Sequence, residues 1–89
     1  MVTAVVLMNV RTDETVRVAD ELADMDGVSE VFSVAGNYDL VAMLRVKDNE
    51  ALADLVTTRI RAVAGITQTQ TLIAFRAYSR REIESLFDE

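Results

Sequence analysis

The sequence predicts an α+β fold in which two strand–helix–strand units share one four-stranded antiparallel sheet. Three observations lead to this prediction. Apolar, β-branched segments alternate with segments of helical period along the 89 residues. The two halves resemble each other, since residues 10–14 (VRTDE) align with residues 46–50 (VKDNE). Between the halves lies Gly36-Asn37, a pair that favours a hairpin turn.

The first half predicts a strand, a helix and a second strand. Residues 2–10 are apolar on both alternating faces, so this strand must be covered on both sides. Thr12 or Asp13 is a suitable N-cap for the helix, and Gly27 is a suitable stop. The second strand covers residues 28–35. The expected apolar stripe of the helix consists of Val16, Val18, Ala19, Leu22, Ala23 and Met25. The expected apolar face of the second strand consists of Val28, Phe32 and Val34.

The second half repeats this order. The third strand covers residues 38–46, Asp48 caps the second helix, Gly65 ends it, and residues 66–77 form the fourth strand. The buried stripe of the second helix is expected to be Leu52, Leu55, Val56, Ile60 and Val63. A short C-terminal helix is predicted from the spacing of Ile83, Leu86 and Phe87.

This βαββαβ order is the ferredoxin-like arrangement, here predicted as a single domain over residues 1–89. Right-handed crossovers place both helices on the same face of the sheet. The other face keeps apolar residues of the first and third strands, such as Val41 and Met43. Because soluble monomers rarely expose such a patch, we expect two sheets to pack face to face as a dimeric α/β barrel.

Composition excludes several function classes. Fifteen acidic and nine basic residues give a net charge of −6, which disfavours direct DNA binding and binding to anionic membranes. No signal peptide or membrane-spanning segment is visible, so a cytoplasmic location is expected. The absence of Cys and His removes thiol and imidazole chemistry. We therefore expect no cofactor, no metal and no catalytic residue.

Two polar segments are candidates for ligand binding. In residues 34–40 (VAGNYDL), Asp39 follows the turn directly, where it either caps the turn or offers a carboxylate to a ligand ammonium. In residues 67–71 (TQTQT), alternation places threonine hydroxyls on one side of a strand and glutamine amides on the other. This segment is either a solvent-exposed strand or the lining of a small polar pocket.

In their order and spacing, Gly36-x-Tyr38-Asp39-Leu40 and Gly65-Ile66-x-x-Thr69-x-Thr71 resemble the effector domain of the Lrp/AsnC (feast/famine) transcription regulators. This module is called the RAM domain, and the resemblance runs from residue 2 to about residue 78. Members usually carry an N-terminal helix-turn-helix domain. Residue 1 leads directly into the first strand here, so the chain resembles the stand-alone RAM proteins of the family.

The resemblance implies amino-acid binding between dimers, close to the hairpin. Backbone N–H groups of Gly36 and Asn37 would receive the α-carboxylate, and Asp39 would accept the ammonium or organise the loop. Threonine hydroxyls would contact the ligand side chain, and Tyr38 either contacts ligand or packs at the interface. The implied ligand-binding residues are Gly36, Asn37, Tyr38, Asp39, Thr69 and Thr71.

The resemblance also implies rings of dimers, commonly octamers, and full-length Lrp/AsnC regulators as partners. The function expected is therefore a non-enzymatic amino-acid sensing and assembly module. Two alternatives stay open. One is a small monooxygenase or isomerase of the dimeric α/β-barrel group, since fold alone does not decide function. The other is an assembly partner that has no ligand of its own.

Overall fold

The computed structural model describes residues 1–78 and 80. It confirms the α+β class and the predicted order of strands and helices. The predicted C-terminal helix lies outside the described residues. The elements are β1 (Val2–Val10), a 3-10 turn (Thr12–Glu14), α1 (Thr15–Ala23), β2 (Val28–Ser33), β3 (Leu40–Val46), α2 (Asn49–Asp54), a π-helical continuation of α2 (Leu55–Ile60) and β4 (Ile66–Ile73).

The four strands form one antiparallel sheet in the order β2-β3-β1-β4. The central strand β1 pairs with β3 through Met8 and Leu40, and with β4 through Val6 and Thr71. Two βαβ units joined by a hairpin give this order when their crossovers are both right-handed. The ferredoxin-like prediction is confirmed, and β2 and β4 are the edge strands.

The hydrophobic core lies between the helices and one face of the sheet. Alternate residues of β1 and β3 are buried while their neighbours are not, as the period of two requires. Each fully buried aliphatic side chain contributes about 1.5–3 kcal/mol. The core residues are Ala4, Val6, Met8, Val10, Val18, Leu22, Leu40, Ala42, Leu44, Leu52, Leu55, Ile60 and Val63.

The first helix buries a narrower stripe than predicted. Val18 and Leu22, one helical turn apart, are fully buried, whereas Val16 is 74% exposed and Ala23 is exposed. A step of two residues turns a helix by about 200°, so Val16 cannot share a face with Val18. The predicted N-cap is also wrong, because Thr12 lies in the 3-10 turn and no side chain caps either segment.

The second helix agrees better with the prediction. The Asp48 carboxylate Oδ1 accepts a hydrogen bond from the backbone N–H of Ala51 at 2.8 Å, so Asp48 is the N-cap. The predicted stripe is buried except for Val56, which is half-buried. After Asp54 the backbone continues as a π-helix to Ile60.

The predicted face of β2 is wrong because the strand contains a bulge between Val28 and Glu30. Val28 pairs with Leu44 and so shares the helix-covered face, whereas Phe32 pairs with Val41 on the opposite face. An extra residue in one strand reverses the facing of every residue beyond it. Phe32 therefore lies on the side of the sheet that no helix covers.

The strands beside the hairpin are shorter than predicted. The sequence predicts a turn at Gly36-Asn37 between residues 35 and 38, but β2 ends at Ser33 and β3 begins at Leu40. The connection is the six-residue loop 34–39, closed by a hydrogen bond from the Val34 N–H to the Asp39 carbonyl at 3.0 Å. The fourth strand likewise ends at Ile73 rather than residue 77.

The sheet face opposite the helices is uncovered in the single chain, and we call it the open face. Its central part is aliphatic and half-buried, while its outer part exposes 45% of Phe32 and 48% of Leu72. The central residues are Val5, Leu7, Val41 and Met43. The predicted apolar second face is therefore confirmed.

Candidate functional site

The hairpin loop 34–39 carries four of the six predicted ligand-binding residues. Gly36 has φ of 128°, a conformation that L side chains rarely adopt, and an added Cβ would meet nothing within 4 Å. Glycine is thus required here by the backbone and not by crowding. Within residues 1–78 and 80, the backbone N–H groups of Gly36 and Asn37 donate to no other group. They are available to an anion.

Asp39 is attached to the end of β1. Its N–H donates to the Met8 carbonyl at 2.8 Å, and its carboxylate Oδ2 accepts from the Val10 N–H at 3.0 Å. The β3 strand does not extend far enough to pair with Val10, so the carboxylate takes the place of a strand carbonyl. This contact joins residues 29 positions apart and is not the local turn cap considered from the sequence.

The second oxygen of this carboxylate has a different environment. In the part of the chain that the structure describes, Asp39 Oδ1 accepts no hydrogen bond. Asp39 is half-buried, so its charge is partly shielded from solvent. The same six-residue loop thus carries an unbonded carboxylate oxygen and, among the described residues, free backbone N–H groups, and a zwitterion requires this pair of opposite polarities.

Asn9 holds the loop from the side of β1. Its Nδ2 donates to the carbonyl of Asn37 at 2.9 Å and lies 3.5 Å from Asp39 Oδ2. One amide therefore bridges two of the predicted site residues. Because hydrogen bonds are directional as well as short, Asn9 fixes the position of the loop relative to the sheet.

Tyr38 extends across the open face. Its Oη donates to Gln70 Oε1 on β4 at 2.5 Å. Gln70 pairs with Leu7 on the intervening strand, so the ring crosses above β1. This position agrees with packing at an interface, which is one of the two roles expected for Tyr38.

Thr69 and Thr71 lie on the other side of the sheet. They pair with Met8 and Val6, whose side chains are fully buried beneath the helices. Thr71 borders an apolar groove between β4 and α2, and Thr69 borders a separate polar cleft. Within one chain, the structure therefore brings together the four hairpin residues but not the two threonines.

Three polar residues beside these positions were not predicted. Asn9 and Gln70 contact the hairpin residues, and Arg61 lines the cleft with Thr69. Asn9 could have been noticed in the sequence, since it places a polar amide in a mostly apolar strand. Gln70 lies in the segment 67–71 that was considered as a pocket lining, whereas Arg61 had no signal, because its role depends on where the second helix ends.

The described residues limit other chemistry. Across residues 1–78 and 80, no group of three or more metal-ligating side chains is present, and no helix has the length and apolar character to cross a membrane. Arg17 forms salt bridges with Glu14 and Glu21, at 3.2 and 3.4 Å. Arg17 also donates to the Ala64 carbonyl, so this cluster joins α1 to the start of β4.

Comparison with known families gives a match over most of the chain. Residues 3–83 match the family model described as the Lrp/AsnC ligand binding domain. An uncharacterized HTH-type transcriptional regulator of Pyrococcus horikoshii, PH1916, is 36% identical over 58 residues. That alignment covers 65% of this chain and 39% of the regulator, so the chain spans less than half the length of this relative.

Solved structures agree with the fold. TTHA0845 from Thermus thermophilus superposes with a TM-score of 0.85 and 46% identity, covering 90% of this chain and 100% of that one. The feast or famine regulatory protein Rv3291c of M. tuberculosis, solved in complex with L-methionine, has a TM-score of 0.72 and 29% identity. The superposed region covers 91% of this chain and 55% of the regulator.

An enzyme also contains a similar segment. Homocitrate synthase of Saccharolobus islandicus is 30% identical over 73 residues, but these are 16% of that enzyme. The similarity is thus confined to a small part of the enzyme.

Proposed function

The chain belongs to the Lrp/AsnC ligand-binding domain family, and we propose that it is an amino-acid sensing and oligomerisation module that acts with transcription regulators. The observation that carries this proposal is the arrangement at Asp39. One carboxylate oxygen accepts from the Val10 N–H, while the other oxygen and the N–H groups of Gly36 and Asn37, in the same loop, have no partner among the described residues. The α-carboxylate of an amino acid pairs with such N–H groups, and its ammonium pairs with Asp39 Oδ1.

The proposed ligand is an amino acid because both charges are satisfied at this loop. The mycobacterial relative solved with L-methionine supports this class of ligand. Binding residues are proposed to be Gly36, Asn37, Tyr38, Asp39, Thr69 and Thr71. Since the threonines lie on the opposite side of the sheet from the hairpin, a site that uses all six takes its hairpin from one copy and its threonines from another.

The proposed assembly starts from a dimer formed through the open face. Phe32 and Leu72 lose their exposure when a second sheet packs on this face, and apolar area removed from water contributes about 25 cal/mol per Å². Dimers then join in an octamer-like ring, which brings hairpins close to the threonines of neighbouring dimers. Full-length Lrp/AsnC regulators are proposed to enter the same rings, in the cytoplasm.

A regulatory role is proposed in preference to an enzymatic one. The matched family is one of transcription regulators, and the similarity to homocitrate synthase covers only a minor part of that enzyme. The alternative of an assembly partner without a ligand makes the opposite prediction for amino-acid binding, so one experiment separates the two.

The test is a thermal-denaturation screen of the 89-residue chain with each of the twenty amino acids. A ligand present at a hundred times its Kd adds about 2.7 kcal/mol of stability, so one or a few amino acids should raise the Tm clearly. Calorimetric titration of those amino acids then gives the stoichiometry per chain. If none of the twenty changes the Tm and calorimetry shows no heat of binding, the sensing proposal is wrong and the assembly-partner alternative replaces it.

A further inference from the structure

A polar cleft lies at the edge of the sheet, between β4 and the end of the second helical segment. Its volume of about 240 Å³ is below the ~300–1,000 Å³ typical of sites for drug-sized ligands, so it fits a smaller molecule. We call it the Arg61 cleft. It is lined by Val56, Thr57, Arg61, Ile66, Thr67, Gln68 and Thr69.

The Arg61 cleft has a positive charge without a balancing negative one. Among residues 1–78 and 80, the guanidinium of Arg61 forms no salt bridge and no hydrogen bond. No lining residue carries a carboxylate. Arg61 is exposed and lines the cleft, so its unpaired guanidinium favours an anion there, and a guanidinium pairs best with a planar carboxylate.

The hydroxyl groups of the cleft are oriented by their own hydrogen bonds. Thr57 Oγ1 donates to the Ala53 carbonyl at 2.6 Å, and Thr67 Oγ1 donates to the Asn9 carbonyl at 3.2 Å. Each hydroxyl has one proton, so these two oxygens remain available only as acceptors. The Thr69 hydroxyl has no partner in the described part of the chain and can donate.

We propose that the Arg61 cleft binds a small 2-hydroxy carboxylate. Arg61 and Thr69 donate to the carboxylate, and the oxygen of either Thr57 or Thr67 accepts the single proton of the ligand hydroxyl. The inference goes beyond the amino-acid site, because one chain supplies every group, no hairpin residue takes part, and Thr69 is the one residue that the two proposals share.

The experiment is an amide-resolved NMR titration of the deuterated 89-residue chain with sodium L-lactate at constant ionic strength. We expect saturable shifts at Arg61 and at residues 66–69. Propionate, which lacks the hydroxyl, should bind more weakly, and lactamide, which lacks the charge, should not bind. Shifts that rise linearly without saturation, or equal binding of lactamide, would overturn the inference.

Matched variants separate the cleft from general charge effects. Arg61→Gln should weaken lactate binding about tenfold, which is typical of losing one charged hydrogen-bond partner. Arg59→Gln removes the same charge two residues earlier in the chain, but Arg59 donates to the Asp26 carbonyl outside the cleft, so this variant should leave binding unchanged. Thr57→Val should also weaken lactate binding, and it provides the test if Arg61→Gln does not fold. Equal effects of Arg59→Gln and Arg61→Gln would contradict the assignment.

The two proposals fail independently. Asp39→Ala should abolish binding at the hairpin and leave lactate binding at the Arg61 cleft unchanged. If no amino acid binds the chain but lactate binding depends on Arg61, the sensing proposal fails and the Arg61 cleft stands. If amino acids bind through Asp39 but lactate gives no saturable shift, the Arg61 cleft fails alone.

Discussion

The Asp39 carboxylate accepts a hydrogen bond from the backbone N–H of Val10 at 3.0 Å, so the residue expected to bind a ligand also holds the hairpin to β1. These two roles use different oxygens, since Oδ2 is bonded to the strand and Oδ1 is not. An alanine substitution removes both at once. A loss of ligand binding in that variant alone therefore does not identify the charge as the cause.

Two substitutions at Asp39 separate these roles. Asp39→Ala should lower the free energy of unfolding by about 1–2 kcal/mol, because the Val10 N–H loses its acceptor. Asp39→Asn keeps an oxygen for Val10 and should stay within about 0.5 kcal/mol of the parent, but it removes the charge and should abolish amino-acid binding. Urea denaturation and calorimetry measure the two effects. Parental amino-acid affinity in Asp39→Asn would show that the carboxylate does not pair with the ammonium.

A substitution at Asn9 tests whether loop position matters for binding. Asn9→Ala removes the hydrogen bond to the Asn37 carbonyl and should cost about 0.5–1.5 kcal/mol of stability. It should also weaken amino-acid binding, although the proposed ligand does not touch Asn9. The matched control is Gln68→Ala, which removes the amide paired with Asn9 on β4 and should change neither quantity. Equal losses in both variants would contradict a specific role for Asn9.

Two glycines with positive φ should respond differently to alanine. At Gly27 (φ 94°), a Cβ would lie 2.9 Å from Leu55 Cδ2 and 3.0 Å from Val46 Cγ1. Backbone strain and overpacking together should lower the free energy of unfolding of Gly27→Ala by about 2–4 kcal/mol. In Gly36→Ala the added Cβ contacts no atoms, so backbone strain alone should lower the free energy of unfolding, by about 1–2 kcal/mol. Chemical denaturation of both variants checks the order, and a larger loss at Gly36 would contradict it.

The fold was predictable because its signals are local and repeated. Apolar alternation identified both faces of β1, and Asp48 marked the start of the second helix. The errors arise where one position changes the geometry of a longer segment. The bulge beside Val28 reverses the facing of Phe32, and no residue type in that strand indicates where a bulge occurs.

The candidate site was predictable only in part. The hairpin residues are adjacent in sequence, so the motif alone brought Asn37, Tyr38 and Asp39 together. The position of Thr69 and Thr71 depends on the register between β1 and β4, which includes a shift between Asn9 and Val10. Because a one-residue change of register exchanges the faces of a strand, sequence alone did not decide which side the threonines occupy.

The 89-residue chain should not bind duplex DNA by itself. Its nine basic residues are scattered along the sequence, and a net charge of −6 repels phosphates. Fluorescence anisotropy with a labelled duplex at moderate salt should show no change up to high micromolar protein. Salt-sensitive binding, with a slope that reports several phosphate contacts, would contradict this prediction.

A negative charge on the open face should break the proposed dimer. Met43 is half-buried in the single chain and lies beside Val5 in the register of β1 and β3, so a second sheet packed there leaves the side chain without water. Burying an unpaired carboxylate costs several kcal/mol, and Met43→Asp should therefore be monomeric or unfolded in light scattering at micromolar concentration.

Thr58→Asp is the control, because this exposed position on the helical side receives the same charge without entering the open face. Circular dichroism distinguishes a folded monomer from an unfolded chain. A stable monomer of the unmodified protein, or an unchanged oligomer of Met43→Asp, would show that the open face does not hold the assembly together.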